Sequence, residues 1–151
     1  MKIRTDYVTN SSSSSFILGF KNAEEISEII KNELPSYWSE DAIQGVISDI
    51  EDGITSKEKA IELYKDHICY WDWRFNGKSC WDMTIEEMQS QEWLDFKEAK
   101  KNELSSSLVN TLAQYDIISI VAYEDHTELG SQLEHDIMPY LDSTIQRISH
   151  H

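Results

Sequence analysis

Cysteine is scarce in this chain: Cys69 and Cys80 are the only two among 151 residues. Two thiols make no disulfide framework, so the expectation is a reducing cytoplasm in which both stay free. His67 and Cys69 lie two apart, which on a helix points them in different directions, so a nucleophilic cysteine is not expected. Glycine is scarce as well. Five in all, with no Gly-rich loop to cradle phosphates, leave nucleotide binding without support. The longest apolar run, "IISIVAY" at 117–123, falls far short of the roughly 20 residues that a membrane-spanning helix needs. "MKIRTDYVTN" has two basic residues but no apolar h-region, and Asp6 interrupts it, so no cleaved signal is expected.

Positive charge is the last shortage. Thirteen Lys and Arg stand against twenty-eight Asp and Glu, for a net charge of −15. Affinity for a phosphate backbone comes from clustered Lys and Arg, so direct nucleic-acid binding works against this field, and anionic membranes are disfavoured for the same reason. The only basic concentration, "KEAKK" at 97–101, reads as the wet side of a helix. An acidic surface suits solubility, a protein partner with a basic surface, or cations, and plain solubility is the simplest of these.

What is present describes one globular domain. Hydrophobic residues make up 40% and aromatics 11%, enough for a core in a chain too short for two. Residues 2–8 alternate, with Ile3, Thr5 and Tyr7 opposite Lys2, Arg4 and Asp6, which predicts a half-exposed strand. "FILGF" at 16–20 predicts a buried one. A capping box at Asn22 and Glu25 opens a helix with Ile26, Ile29 and Ile30 inward, ending before Pro35. A second helix fits 40–51, with Ala42, Ile43, Val46, Ile47 and Ile50 in one stripe and Gly53 after it. A third starts at a Thr55–Glu58 box and carries Ala60, Ile61, Tyr64 and Ile68.

In "CYWDWRFNGKSCWDM" the period changes, and Asn76-Gly77 is a strong hairpin signal because both turn positions need positive φ. That register puts Trp71, Trp73 and Phe75 on one face, with Trp73 opposite Cys80. Thr84 and Glu87 cap a helix through Met88 and Phe96. Leu104, Leu108 and Leu112 extend to a second helical piece, with 97–103 either helical or a break. "DIISIVAYED" at 116–125 predicts a central strand. A helix over 128–141 turns Leu129, Leu133, Ile137 and Tyr140 inward, with Glu134 on its flank. "STIQRISHH" is β-like, and the opposite parity of Ile145 and Ile148 calls for a bulge or for cover on both faces. The sum is an α+β fold: three or four strands, helices on one or both faces, and an aromatic β-hairpin insertion.

Two groups of residues carry candidate chemistry. Four of the five histidines, His126, His135, His150 and His151, fall in the last 26 residues among Glu124, Asp125, Glu128, Glu134 and Asp136. Imidazole and carboxylate are ligands of divalent metals, so Glu134, His135, His150, His151 and His126 form a candidate site for a divalent metal ion. The spacing matches no compact motif, since HExxH, HxH and CxxC are all missing, and scattered surface histidines remain the plain alternative. The hairpin aromatics are the second group. Trp71, Trp73 and Trp81 suit a binding patch, although such clusters more often fill a core.

The serine tract "YVTNSSSSSF" stands apart. Asn10 suits a turn, so Ser11, Ser12, Ser13, Ser14 and Ser15 read as the loop of a hairpin joining strands 2–8 and 16–20. Their hydroxyls also suit a binding loop that satisfies irregular backbone or holds an anion. "MKIRTDYVTNSSSSSF" resembles the N-terminal signature of uncharacterised proteins from clostridia and related Firmicutes, which open on a short basic strand, then Val-Thr-Asn, five serines and Phe. The match covers the first 17 residues, with Tyr7 where Phe is commoner, and "LEHDIMP…RISHH" is similar to the ends of some of them. No activity comes with that resemblance. It implies a bacterial or phage origin and a tract kept for a purpose. The resulting expectation is a small acidic cytoplasmic protein that binds or regulates, an inhibitor among the options, with a metal-dependent hydrolase built on the C-terminal His/Glu cluster as the alternative.

Overall fold

The computed structural model describes residues 13–150, and of His150 the backbone alone. Four strands, β1 (Ser13–Phe20), β2 (Ile54–Thr55), β3 (Ile117–Glu124) and β4 (Thr144–His150), form one antiparallel sheet in the order β2-β3-β1-β4. Six helices complete the α+β fold: α1 (Ala23–Glu33), α2 (Glu40–Asp52), α3 (Lys57–Asp66), the single turn α4 (Ile85–Met88), the long α5 (Gln91–Leu112) and the short α6 (Glu128–Ser131).

The centre of the sheet differs from expectation. β1 begins within the serine tract, and Ser14 and Ser15 are buried strand residues rather than a loop. Its two sides are both taken, by β3 from Ser13–Glu124 to Phe20–Ile117 and by β4 from Ser13–His150 to Leu18–Thr144. The other strand of the expected hairpin, residues 2–8, lies outside the described residues together with Asn10, Ser11 and Ser12.

Helices cover both faces, which is why β1 is apolar without alternation. Phe16, Leu18 and Phe20 pack on one side against Ile26 and Ile30 of α1 and Val46, Ile47 and Ile50 of α2. Ile17 packs on the other against Ala60 of α3 and Leu108 and Leu112 of α5. The parity of β4 is resolved by a bulge: Gln146 faces Ile17 and Thr144 faces Leu18, so Ile145 is the extra residue. Ile145 and Ile148 therefore reach the same core, and Arg147 turns to the opposite face.

Asn22 and Thr84 cap helices as the sequence predicts, each accepting a hydrogen bond at 3.1 Å from the amide of Glu25 or Glu87. The helix after Thr84, however, is the single turn Ile85–Met88 and does not run on to Phe96, because Ser90 caps α5 afresh by accepting from the Trp93 amide at 3.2 Å. α3 is capped one residue later, by Ser56. Gly53 ends α2 where β3 passes so close that a Cβ there would meet the Ile120 carbonyl oxygen and Ser119 Oγ. Residues 97–103 are helical. Lys65 of α3 donates to Glu98 and Asn102 at 3.0 and 2.6 Å and holds that polar stretch in place.

The aromatic insertion keeps its turn and loses its strands. Asn76 and Gly77 have the positive φ expected of them, 53° and 79°, but the ladder is one bridge, Phe75 to Lys78. Burial against α5 outweighs cross-strand pairing here. Tyr70, Phe75 and Phe96 gather around Trp93, which with buried Cys80 and Met83 makes a third small core. Among the described residues no helix is long and apolar enough to cross a membrane.

Candidate functional site

The segment after β3 is not the regular helix predicted over 128–141. Thr127 caps α6 by accepting from the Gly130 amide at 2.9 Å, and one turn later the chain widens into a π-type turn over Gln132–Ile137. Pro139 has no N–H for the carbonyl of His135, so an α-ladder cannot continue through it, and a 3₁₀ turn over Met138–Tyr140 follows. Wide turns of this kind are frequent at functional sites. In this one, consecutive residues Leu133 and Glu134 are both buried, so Glu134 is a core residue and not a flank residue. Tyr140 and Leu129, expected inward, are exposed, and Met138 takes the inward place.

Glu134 lands on the α1/α2 face of the sheet, over Ser14. Its Oε1 accepts the Ser14 hydroxyl at 3.0 Å and lies 3.7 Å from Nη2 of Arg147. Arg147 Nε in turn donates to Ser14 Oγ at 3.1 Å, and its guanidinium stands 5.9 Å from the Phe16 ring centroid. Ser14, Glu134 and Arg147 thus form a closed polar triangle inside an apolar layer, with every charge partnered. Its outer edge reaches water through His135, whose Nε2 is 3.5 Å from Glu134 Oε2 and 4.0 Å from Asp125 Oδ2. One ligand atom from each of Asp125, Glu134 and His135 lies within 4.8 Å of the other two.

Of the sequence-predicted metal residues, Glu134 and His135 are brought together, and Asp125 joins them from the end of β3. His126 turns away and pairs with Glu124 at 2.8 Å on the exposed surface. The His150 backbone lies opposite Ser13, while its side chain and His151 are outside the described residues. Imidazole and two carboxylates are a reasonable donor set for a borderline divalent ion. The Arg147 charge beside Glu134 opposes a second cation, and Ser14 is wholly buried with its hydroxyl committed, so it is no nucleophile. A 430 Å³ groove lined by α3 and α5 residues and a 510 Å³ hollow beside Lys31 and Glu40 both lie away from this cluster. On the same sheet face, Tyr123 donates to Asp49 at 3.0 Å. Burial first, and then the Asp49 carboxylate, push its phenol well above the ordinary range, so it stays protonated.

The aromatic patch divides in two. Trp73, predicted beside Trp71, is partly buried and meets Phe96 edge-on at 6.3 Å. Trp71 instead stacks on Trp81 with centroids 4.9 Å apart and planes 23° off parallel, and Tyr70 stacks on Trp71 at 5.0 Å. Trp71 is 44% exposed and Trp81 74%. Lys97 Nζ lies 4.7 Å from the Tyr70 centroid, so the inner end of the row already has a cation. Asp72 and Asp82, each beside one of the open indoles in sequence, are exposed.

The sequence marks Asp125 as a neighbour of the histidines but not as a ligand, and it does not single out Arg147 or Tyr70. The alternation Ser14, Phe16, Leu18 along a buried strand is a usable signal that Ser14 faces the core, and an arginine between Ile145 and Ile148 signals an ionic partner for a buried acid. Comparison with family models, with curated proteins and with solved structures returns no match.

Proposed function

We propose that this protein acts by binding, as a small acidic module that engages a protein partner with a basic surface. The observation that carries this reading is the Trp71–Trp81 stack, open to water, with exposed Asp72 and Asp82 next to the two indoles in sequence. Large aromatics exposed as a pair are costly to leave in water and are the residue type that anchors interfaces. The net charge of −15 steers a basic partner toward them. In this reading the protein works in the cytoplasm of a bacterial or phage system, as a regulator or inhibitor. The test is capture of basic proteins from a bacterial lysate at low salt by the wild type, by Trp81→Ala and by Asp72→Lys/Asp82→Lys. A partner retained by the wild type and lost from both variants supports the reading. Identical captures by all three sink it.

A second reading rests on a separate observation, the convergence of Asp125, Glu134 and His135. It makes the protein a divalent-metal protein, and a metal-dependent hydrolase if substrate reaches His135. Elemental analysis after dialysis against zinc or manganese decides it: about one ion per chain, lost in His135→Ala, is expected. Protein that stays metal-free ends this reading and leaves the first untouched.

A further inference from the structure

We infer that the open face of Trp81 is the seat of an arginine side chain of the partner. The inference rests on the binding reading above and names the group that is bound. Tyr70, Trp71 and Trp81 form a short row of near-parallel rings, with spacings of 5.0 and 4.9 Å. An aromatic face is electron-rich and attracts cations, and at Tyr70 the chain supplies one itself, through Lys97. Trp81 ends the row with its ring in water.

The two cations of the neighbouring turn are engaged elsewhere. Lys78 is paired with Glu87 at 2.9 Å, and Arg74 Nη1 reaches back to the Gly77 carbonyl at 3.4 Å. The seat is also fixed before any partner arrives. Trp81 sits in a 3₁₀ turn between Cys80 and Met83, which are 4% and 8% exposed, and Ser79 Oγ donates to Asp82 Oδ2 at 3.2 Å. Anchored flanks of this kind reduce the ordering cost of binding.

A guanidinium fits this place better than an ammonium. It is planar, weakly hydrated and able to stack flat on indole while its edge donates two parallel hydrogen bonds to a carboxylate. Asp82 and Asp72, each exposed and next to one of the indoles in sequence, are the nearest carboxylates along the chain. A nucleic-acid base would stack as well, but its phosphates meet a chain of net charge −15.

The test uses three synthetic peptides, Gly-Arg-Gly-Arg-Gly and its lysine and citrulline counterparts, titrated into the full chain. Indole N–H shifts are read by NMR, so that Trp81 is followed against buried Trp93 in the same spectrum. The arginine peptide is expected to shift the Trp81 signal saturably. Its affinity should fall at least tenfold in Trp81→Ala and several-fold in Asp82→Asn or at high salt. Trp81 is 74% exposed, so its truncation leaves the fold intact, which circular dichroism checks. Equal binding of the citrulline peptide, or equal or tighter binding of the lysine peptide, overturns the inference, as does an unshifted Trp81 signal. If lysate capture still fails in Trp81→Ala, any of these outcomes leaves the binding reading standing and removes only the arginine.

Discussion

Substituting Arg147 by Met keeps the bulk of the side chain and removes its charge, which isolates the polar triangle as a contributor to stability. Glu134 is 0% exposed, so without Arg147 a buried carboxylate keeps the Ser14 hydroxyl and its contacts at the His135 edge but loses its basic partner beneath. Removing one member of a fully buried ion pair costs about 3–5 kcal/mol. Arg147 is 34% exposed and 3.7 Å from the carboxylate, so solvent screens part of that and about 1–2 kcal/mol remains for the charge. The lost hydrogen bond to Ser14 adds about 1 kcal/mol. The expected destabilisation is therefore about 2–3 kcal/mol, a large share of the 5–15 kcal/mol typical of a domain. Urea unfolding measures it as a lower midpoint at unchanged slope. Glu134→Gln alone should cost about 1–2 kcal/mol, and the double variant should cost less than the sum by about 1 kcal/mol or more, because the second change removes the charge that the first left bare. A loss under about 0.5 kcal/mol in Arg147→Met, or strict additivity in the cycle, refutes the triangle as a coupled unit.

Other expectations are checked by similar means. Gly53→Ala should cost more than about 2 kcal/mol because the new methyl meets the Ile120 carbonyl, whereas Gly45→Ala, with nothing within 4 Å, should gain up to about 1 kcal/mol; thermal melts of the pair separate the two. Trp93→Ala should cost about 3–5 kcal/mol and abolish the near-ultraviolet dichroism of the ring cluster, since Tyr70, Phe75 and Phe96 all lean on it. Burial, and then the Asp142 carboxylate, raise the pKa of Glu33 above its ordinary value. A raised carboxyl favours the fold below its unfolded pKa and loses that contribution as pH rises through the folded one, so Asp142→Asn should raise the melting temperature at pH 7 and leave it unchanged near pH 3. A stabilisation of equal size at both pH values would show that repulsion of Glu33 is not the cause.

Local signals carried much of the fold into the sequence. Asn22 and Thr84 announce their helices because a cap acts within three residues, and "IISIVAY" announces β3 because a strand covered on both faces has no polar side to show. The odd parity of Ile145 and Ile148 held the bulge in plain view. Long-range pairing left no such trace. Nothing in "SSSSSF" states that β3 and β4 flank it, and serine, no strong strand former, is tolerated there because Glu134 and Arg147 meet Ser14. Trp71, Trp73 and Phe75 alternate as a strand does, yet α5 offers Trp93 and Phe96, and packing on them overrides the ladder. For the site, the sequence placed Glu134 and His135 together, and the widened turn that buries the first of them depends on a one-residue shift that periodicity cannot detect.

The position of β1 has a consequence for how the chain is made. Its earliest described residues pair with its last, Ser13 with His150, so the strand at the middle of the sheet leaves the ribosome long before either neighbour exists. α1 and α2 can cover one flank of β1 during synthesis, but both hydrogen-bonding edges stay bare until Ile117 and then Thr144 emerge. An apolar strand with two open edges invites pairing with other chains. Three consecutive serines at the head of that strand, ahead of "FILGF", shorten its sticky portion at little cost to the finished sheet, where Ser14 receives its own partners. Chains stalled or truncated before residue 144 are thus the form of this protein most exposed to aggregation.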